Sequence, residues 1–399
     1  MLVLPWILLA IALVGLLVFG LGVVATLRHT GRPRSRVPEA ALGPVSLLKP
    51  IKGAEEGLAE NLRSFYRQRY PAGFEVVFAT TEPDDEAIPV ARAVAAEFPE
   101  VPTRFVRSDP GFGLNPKVSN LAGALAGARH DLVLQSDANV RAEPDYLHRV
   151  VSELVAEDGH LLSSMVVGVG ERSLGAALHN LQLSAFIAPG CCFALTYFGI
   201  PCVIGKSMLF RRSDLAKVGG IELVRDILAE DYVLGRVFQR EGMNVLLSTT
   251  TAENVNVEST VEHFLGRHLR WLKMRAAIHI PGFVADLVAN STALSLLAFL
   301  TSGFEPFFGA VFGVHAVLKG LGDAFLLERT RGRPMAWRHR LVAPLRDILM
   351  MAIWPYAAFS RSIEWRGVRL RLGWNTRLRP DDGPLPVRVA RRVLAPLRG

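Results

Sequence analysis

Asp131-Leu-Val-Leu-Gln-Ser-Asp137-Ala-Asn139-Val-Arg141 is the stretch around which the rest of the chain is ordered. Leu132, Val133, Leu134 and Val140 bracket an acidic tip, as in a buried parallel strand that carries a carboxylate to the edge of a sheet. Asp137, with Asn139 two residues on, offers hard oxygen ligands that could hold a divalent cation against a diphosphate. The same residues suit a plain turn, because Asp and Asn tolerate left-handed backbone and bond their own backbone. Taken alone, the stretch leaves both readings open.

On either side of it, short apolar strands alternate with amphipathic helices, the pattern of a parallel sheet covered on both faces. Strands are expected at 45–48, 74–80, 103–106, 161–169 and 202–211, with the opening stretch as the fourth. Helices are expected at 57–67, up to Phe98, at 118–128, 144–156, 224–240 and from about Val261. The fold class is α/β.

Hydropathy adds a membrane to this picture. The 399 residues are 50% hydrophobic with a mean hydropathy of +0.28, and residues 1–27 carry no charge, enough to cross a bilayer core that needs about 20 apolar residues. Neither a basic start nor a short apolar core is present, so an uncleaved anchor is expected rather than a signal peptide. Arg28, Arg32, Arg34 and Arg36 follow it, which by the positive-inside tendency places the N-terminus outside and the α/β region, 44–275, in the cytoplasm. Segments 276–304 and 306–327 are long enough to span. Segment 342–359 is a third candidate, interrupted by Arg346 and Asp347; lying in the interface, it keeps the basic tail at 363–399 inside, whereas crossing puts that tail outside. The region 186–205, broken by Pro189, Gly190, Gly199 and Pro201, reads as a surface-dipping segment or pocket wall rather than a span. Asp323 is expected to pair with a basic residue of 341–347, because an unpaired charge there is costly. The whole is a multi-pass membrane protein, of the inner membrane if the chain is bacterial.

The formal net charge is +8. Its basic residues gather at 28–36, 329–340 and 361–379, beside apolar segments, which fits an anionic membrane surface. No nucleic-acid-binding signature accompanies them. Three cysteines, two of them adjacent, form neither a disulfide framework nor a metal spacing and read as buried fillers in a reducing compartment.

Three acidic stations follow in order: Glu82 with Asp84 and Asp85, then Asp137, then Glu230-Asp231. A basic and aromatic station, Arg267-x-x-Arg270-Trp271, comes last, on a helix face shared with His263. Singly, each is a charged loop tip. The order is the signal.

With these stations stand Leu48-Lys-Pro-Ile-Lys-Gly53, Asn115-Pro-Lys-Val-Ser-Asn120, Asp137-x-x-x-Arg141, Cys202-Val-x-Gly205, Ala229-Glu-Asp-Tyr232 and Trp365-Arg-Gly-x-Arg369. On them the chain resembles the inverting family-2 glycosyltransferases of GT-A type, and among these the ceramide glucosyltransferases, over about residues 46–374. The resemblance implies a Rossmann-like GT-A domain and a UDP-sugar donor used with Mg²⁺ or Mn²⁺. It implies a membrane lipid alcohol as acceptor: ceramide first, glucose as the hexose, transfer with inversion. Asp137 and Asn139 are then the metal station. Lys117 and Arg270 are cations for the diphosphate, Glu82, Asp84 and Asp85 lie by the uridine, and Asn120, Glu230, Arg267 and Trp271 make further substrate contacts.

Asp231 is the expected general base, since one placed carboxylate can take the acceptor's proton; a structural cap is the other reading. Trp271 equally suits a core tryptophan, and Lys49 and Lys52 are either further cations or solvated lysines. Two departures stand out: Glu82 occupies a usual Asp position, and 163–170 lacks the His-Gly-Leu-Pro segment of those enzymes. Rival readings are a UDP-hexose or UDP-N-acetylhexosamine transferase acting on a hopanoid or another lipid, a processive polysaccharide synthase, and a non-catalytic membrane transport or lipid-binding protein.

Overall fold

The computed structural model describes residues 3–365 and 368–381. Strands β1 (Val45–Pro50), β2 (Phe74–Thr80), β3 (Thr103–Arg107), β4 (Leu132–Ser136), β5 (Val140–Arg141), β6 (Leu161–Val169), β7 (Ser207–Arg211) and β8 (Val245–Val255) form one sheet, in the order β3-β2-β1-β4-β7-β6-β8-β5. Six run in one direction; β7 and β5 run against them. This is the mostly parallel, Rossmann-like sheet that the pattern predicts.

The period of two explains the layering. Leu47, Val76 and Leu134 face one core with Leu62, Phe65 and Leu147. Their neighbours Leu48, Val77 and Val133 face the other, with Val118, Leu121 and Phe238. Buried on both sides, the central strands are continuous apolar runs.

Several expectations are corrected. The opening stretch is two strands: after Ser136 the chain turns, Val140 N–H donating to Asp137 O at 3.2 Å, and Val140–Arg141 pairs with β8 at the far edge. The strand expected at 202–211 begins only at Ser207, and the helix expected at 224–240 begins only at Glu230. The apolar stretch 276–304 is broken into helices Ile280–Ala289 and Ser291–Thr301, bent by 64°. Asn290 sits at that bend and donates to Asp286 O at 2.7 Å. Much of the expected tail is folded: β9 (Ser362–Trp365), β10 (Val368–Leu372) and β11 (Leu378–Pro380) make an antiparallel sheet. Arg366, Gly367 and the tail beyond residue 381 lie outside the described residues.

Val3–Thr30, Leu174–Phe198, Pro306–Arg331 and Trp337–Phe359 are long and apolar enough to cross a membrane, as is the bent pair if counted as one span. Leu174–Phe198, which covers the first part of the stretch 186–205, is one helix whose middle, Gln182–Ile187, is a π turn just ahead of Pro189. Trp6 packs on Phe307 and Phe308 at one end, and Arg329 donates to Thr30 Oγ1 at the other, so Val3–Thr30 and Pro306–Arg331 run parallel. The bent pair packs against them; a Cβ on Gly15 would lie 2.1 Å from Val288 O.

The segment Trp337–Phe359 differs, because both its flanks are tied to the α/β domain. Arg333 pairs with Glu253 ahead of it, and Leu378 N–H donates to Asp226 O after it. Within the helices, Arg346 Nη2 pairs with Asp323 at 2.8 Å and Asp347 at 2.6 Å, and Lys319 pairs with the same two carboxylates at 3.1 and 3.0 Å. The partner expected for Asp323 is therefore Arg346, in a cluster of four.

Candidate active site

The site forms where β4, the helix Pro116–Gly127, the loop before β7 and the helix Glu230–Arg240 meet. Asn115 caps the first helix by accepting from Lys117 N–H and Val118 N–H, with Pro116 in the first turn. That cap aims Lys117, whose Nζ lies 3.1 Å from Asp137 Oδ1, 2.9 Å from Glu230 Oε1 and 2.7 Å from Gly205 O. Asn115 also donates to Ile227 O at 2.6 Å, tying the two helix starts together. The Asn-Pro-Lys motif is thus a device for placing one ammonium.

Glu230 and Asp231 open their helix, where carboxylates favour the positive end of the dipole. Glu230 is buried against Lys117, while Asp231 is partly exposed. Asp231 Oδ2 accepts from Gly205 N–H at 2.6 Å and Oδ1 from Tyr232 N–H at 2.7 Å. A Cβ at Gly205 would stand 2.9 Å from Lys117 Nζ and 3.1 Å from Asp231 Oδ2, so a side chain there would push on both site groups. The segment before Glu230 is held by the C-terminal sheet, since Leu228 N–H and Ala229 N–H donate to Thr376 O and Oγ1.

Lys206 is the residue that sequence reasoning missed. Its Nζ lies 3.4 Å from Asp137 Oδ2 and 2.9 Å from Asn139 Oδ1, and its only local signal is its place next to Gly205. Burial pushes the Asp137 carboxyl up, but Lys117 and Lys206 together outweigh that and hold it below its ordinary value. Burial would lower Lys117, yet Asp137, Glu230 and Asp231 raise it. Burial and the nearby Asp231 raise Glu230 against the pull of Lys117. Lys49 is no surface lysine: buried over the Phe65 ring at 3.2 Å, it donates to Ser136 Oγ and Asp137 O. The turn reading of the opening stretch holds. Asp137–Val140 is a turn, and that turn presents the carboxylate.

Arg267 donates to Asn256 Oδ1 at 3.2 Å and to His179 Nε2 at 2.9 Å. Guanidinium can only donate, so His179 Nε2 accepts; the proton on His179 Nδ1 then goes to His268 Nε2 at 2.8 Å. Trp271 packs 5.1 Å from the His268 ring. Arg270 lies 5.9 Å over Trp365 of the C-terminal sheet.

The first acidic station gathers elsewhere, at the ends of β1 and β2. Glu82 pairs with Lys52 at 2.5 Å, and Asp84 is exposed. The Asp85 carboxylate is buried and accepts from Gly53 N–H and Ala87 N–H. Asn120 donates to Ile51 O at 3.1 Å, and its own oxygen has no partner among the described residues.

Asp137 and Asn139 offer one carboxylate and one amide oxygen side by side, with two ammonium groups over them. That donor set fits a hard divalent cation that takes its other ligands from phosphate and water. No cluster of three or more His, Cys, Asp or Glu among the described residues forms an all-protein cage.

One family model, described as glycosyl transferase family 21, matches residues 7–378. Ceramide glucosyltransferase 1 of Caenorhabditis elegans is 26% identical over 351 residues, 86% of this chain and 74% of that protein. The ceramide glucosyltransferase of Komagataella phaffii is 27% identical over 287 residues, 58% of this chain and 56% of that one. Among solved structures, the mannosyltransferase PcManGT of Pyrobaculum calidifontis, in complex with GDP-Man and Mn²⁺, matches at 18% identity. It covers 88% of this chain and 97% of its own, with a TM-score of 0.45.

Proposed function

Because this chain belongs to glycosyl transferase family 21, we propose that it moves a hexose, glucose in the first instance, from a UDP-sugar to a membrane lipid alcohol, ceramide in the first instance. Transfer proceeds with inversion on the cytoplasmic side. The observation that carries the reading is the linkage through Gly205: its carbonyl holds Lys117 over Asp137 while its N–H holds Asp231.

In a single displacement the acceptor oxygen bonds the anomeric carbon as that carbon's bond to the diphosphate oxygen breaks, which inverts the centre. The acceptor hydroxyl loses its proton to Asp231. Gly205 N–H and Tyr232 N–H orient that carboxylate and leave it lone pairs to receive the proton. Charge grows on the departing UDP, and Lys117, Lys206 and Arg267 supply preorganised cations for it. A Mg²⁺ or Mn²⁺ held by Asp137 and Asn139 would add Lewis-acid stabilisation of the same oxygens.

Glu230 acts on the lysine and not on the substrate. Buried between Lys117 and Asn115, it keeps that ammonium placed. A lipid acceptor must present its hydroxyl to Asp231 in line with the leaving group, and such alignment can rival charge as a source of rate. The apolar helix carrying Ala188, Cys191 and Cys192 packs with Cys202 and Ile204 just ahead of Gly205, which supports an acceptor that arrives from the bilayer.

The test is product identification. The purified chain in lipid, given several UDP-sugars, Mg²⁺ or Mn²⁺ and a total lipid extract, is expected to yield one new glycolipid by mass spectrometry. Its acceptor and sugar then replace ceramide and glucose if they differ. No sugar-bearing lipid under any donor would overturn the reading.

A further inference from the structure

The C-terminal sheet has two unlike faces. Ile363, Leu370, Leu372 and Leu378 are buried with Leu228 of the α/β domain. The period of two then turns Arg369 and Arg371 outward; Arg379, in register with Arg371, and Glu364, in register with Arg369, share their face. Arg361, Arg369 and Arg371 line a recess of about 420 Å³ with Phe359, Ser360, Ser362 and Asp381.

Among the described residues none of these three guanidinium groups has an ion pair or a hydrogen-bond acceptor. The one carboxylate in the recess, Asp381, accepts from Ser362 Oγ at 3.0 Å. Among the described residues that line it, three cations thus share one cavity with a single carboxylate. Such an arrangement favours an incoming anion, and the planar arginine fork matches phosphate oxygens in pairs.

The surroundings narrow the anion's class. The recess opens at the end of the apolar helix Ala343–Phe359, where Phe359 is 90% exposed and Tyr356 59%. Trp374, 87% exposed, lies on the same small sheet's connection. Aromatic rings beside cations are what a membrane–water boundary selects. A soluble phosphate would need the arginines and have no use for the rings.

We propose that this recess binds the phosphate of an anionic phospholipid headgroup, with Arg361, Arg369 and Arg371 as donors and Phe359 against the acyl chains. The proposal rests on the chain being seated in a bilayer and is independent of the sugar and acceptor.

The full chain in neutral detergent, titrated with phosphatidylglycerol in mixed micelles, is expected to show a saturable rise in thermal midpoint that phosphatidylcholine does not produce. The R361Q/R369Q/R371Q variant should need at least tenfold more phosphatidylglycerol for half the rise. A control at the other basic cluster, R34Q/R36Q, should titrate like the parent. Without lipid, the triple variant should melt no lower than the parent, because it gives up no ion pair among the described residues. If it does melt lower, Arg371→Gln alone is titrated against the same criteria, with a threefold shift expected. The proposal fails if phosphatidylglycerol has no saturable effect on the parent, if the arginine variants titrate like the parent, or if R34Q/R36Q loses as much. It also fails if inorganic phosphate at matched concentration gives the same rise, which would assign the recess to a soluble anion.

Discussion

At the sheet edge, Lys117 and Lys206 meet Asp137, Glu230 and Asp231; between the helices, Lys319 and Arg346 meet Asp323 and Asp347. The side chains are of the same kinds and the distances similar. Access separates them. Side-chain exposure is 13–24% for Lys117, Lys206 and Asp137, against 0–2% in the helical cluster. Two cations and two carboxylates close the helical cluster upon itself, whereas the edge cluster keeps a partly exposed side. A closed set can only hold helices together. An open one can exchange a lysine's carboxylate for a phosphate.

Four substitutions or conditions press on that contrast. Asp231→Asn should cut kcat by about 10²–10⁴, the range for losing a general base, while the thermal midpoint moves by only a few degrees. A variant turning over at the parent rate would remove Asp231 from the chemistry. In the closed cluster, Asp347→Asn leaves Lys319 and Arg346 short of a partner and should cost about 3–5 kcal/mol of stability. Turnover per folded molecule should stay near the parent's. Denaturation in detergent measures the first and active-fraction titration the second; a chain as stable as the parent would break the comparison.

Lys206→Met should raise KM for the nucleotide-sugar about tenfold or more, as for a charge-assisted bond worth about 1.5–3 kcal/mol. Steady-state kinetics should show kcat changing less than KM; a pure stability loss would instead return Lys206 to the structural class. The smallest effect concerns pH. Burial, with Arg267, Arg346 and Arg270 nearby, holds His268 well below its ordinary value. Its folded value lies under its unfolded one, so its contribution is complete above about pH 6.5 and is lost as pH falls towards the folded value. The free energy of unfolding should fall between pH 7.5 and 5.5, by at most about 1.4 kcal/mol per pH unit from this group, and the thermal midpoint should fall with it. His268→Gln should flatten that slope, and an unchanged slope would assign it to other groups.

Much of the fold was legible locally. The strands at 74–80 and 161–169 appear with the expected bounds, because each is an apolar run between polar turns. The helix from Val261 starts where Thr260 caps it. The start of the next site helix back, at Glu230, was not legible, because Ala229 is held by Thr376, 147 residues later. The histidine chain was hidden for the same reason: His179 and His268 stand 89 residues apart, on separate helices. Lys206 was missed because a charged residue at a strand edge usually meets only water.

From its residues alone the chain announced an α/β sheet, apolar helices and an ordered set of carboxylates and cations, since period, hydropathy and capping are local properties. Only the tertiary structure separated carboxylates that look alike. Asp85 accepts backbone N–H groups, Glu230 is buried on Lys117, and Asp231 stays partly exposed. Asp137, the tip of the stretch read first, keeps its charge because Lys117 and Lys206 arrive from two other elements. Burial and partners set what a carboxylate can do, and both come from packing between segments far apart in the chain.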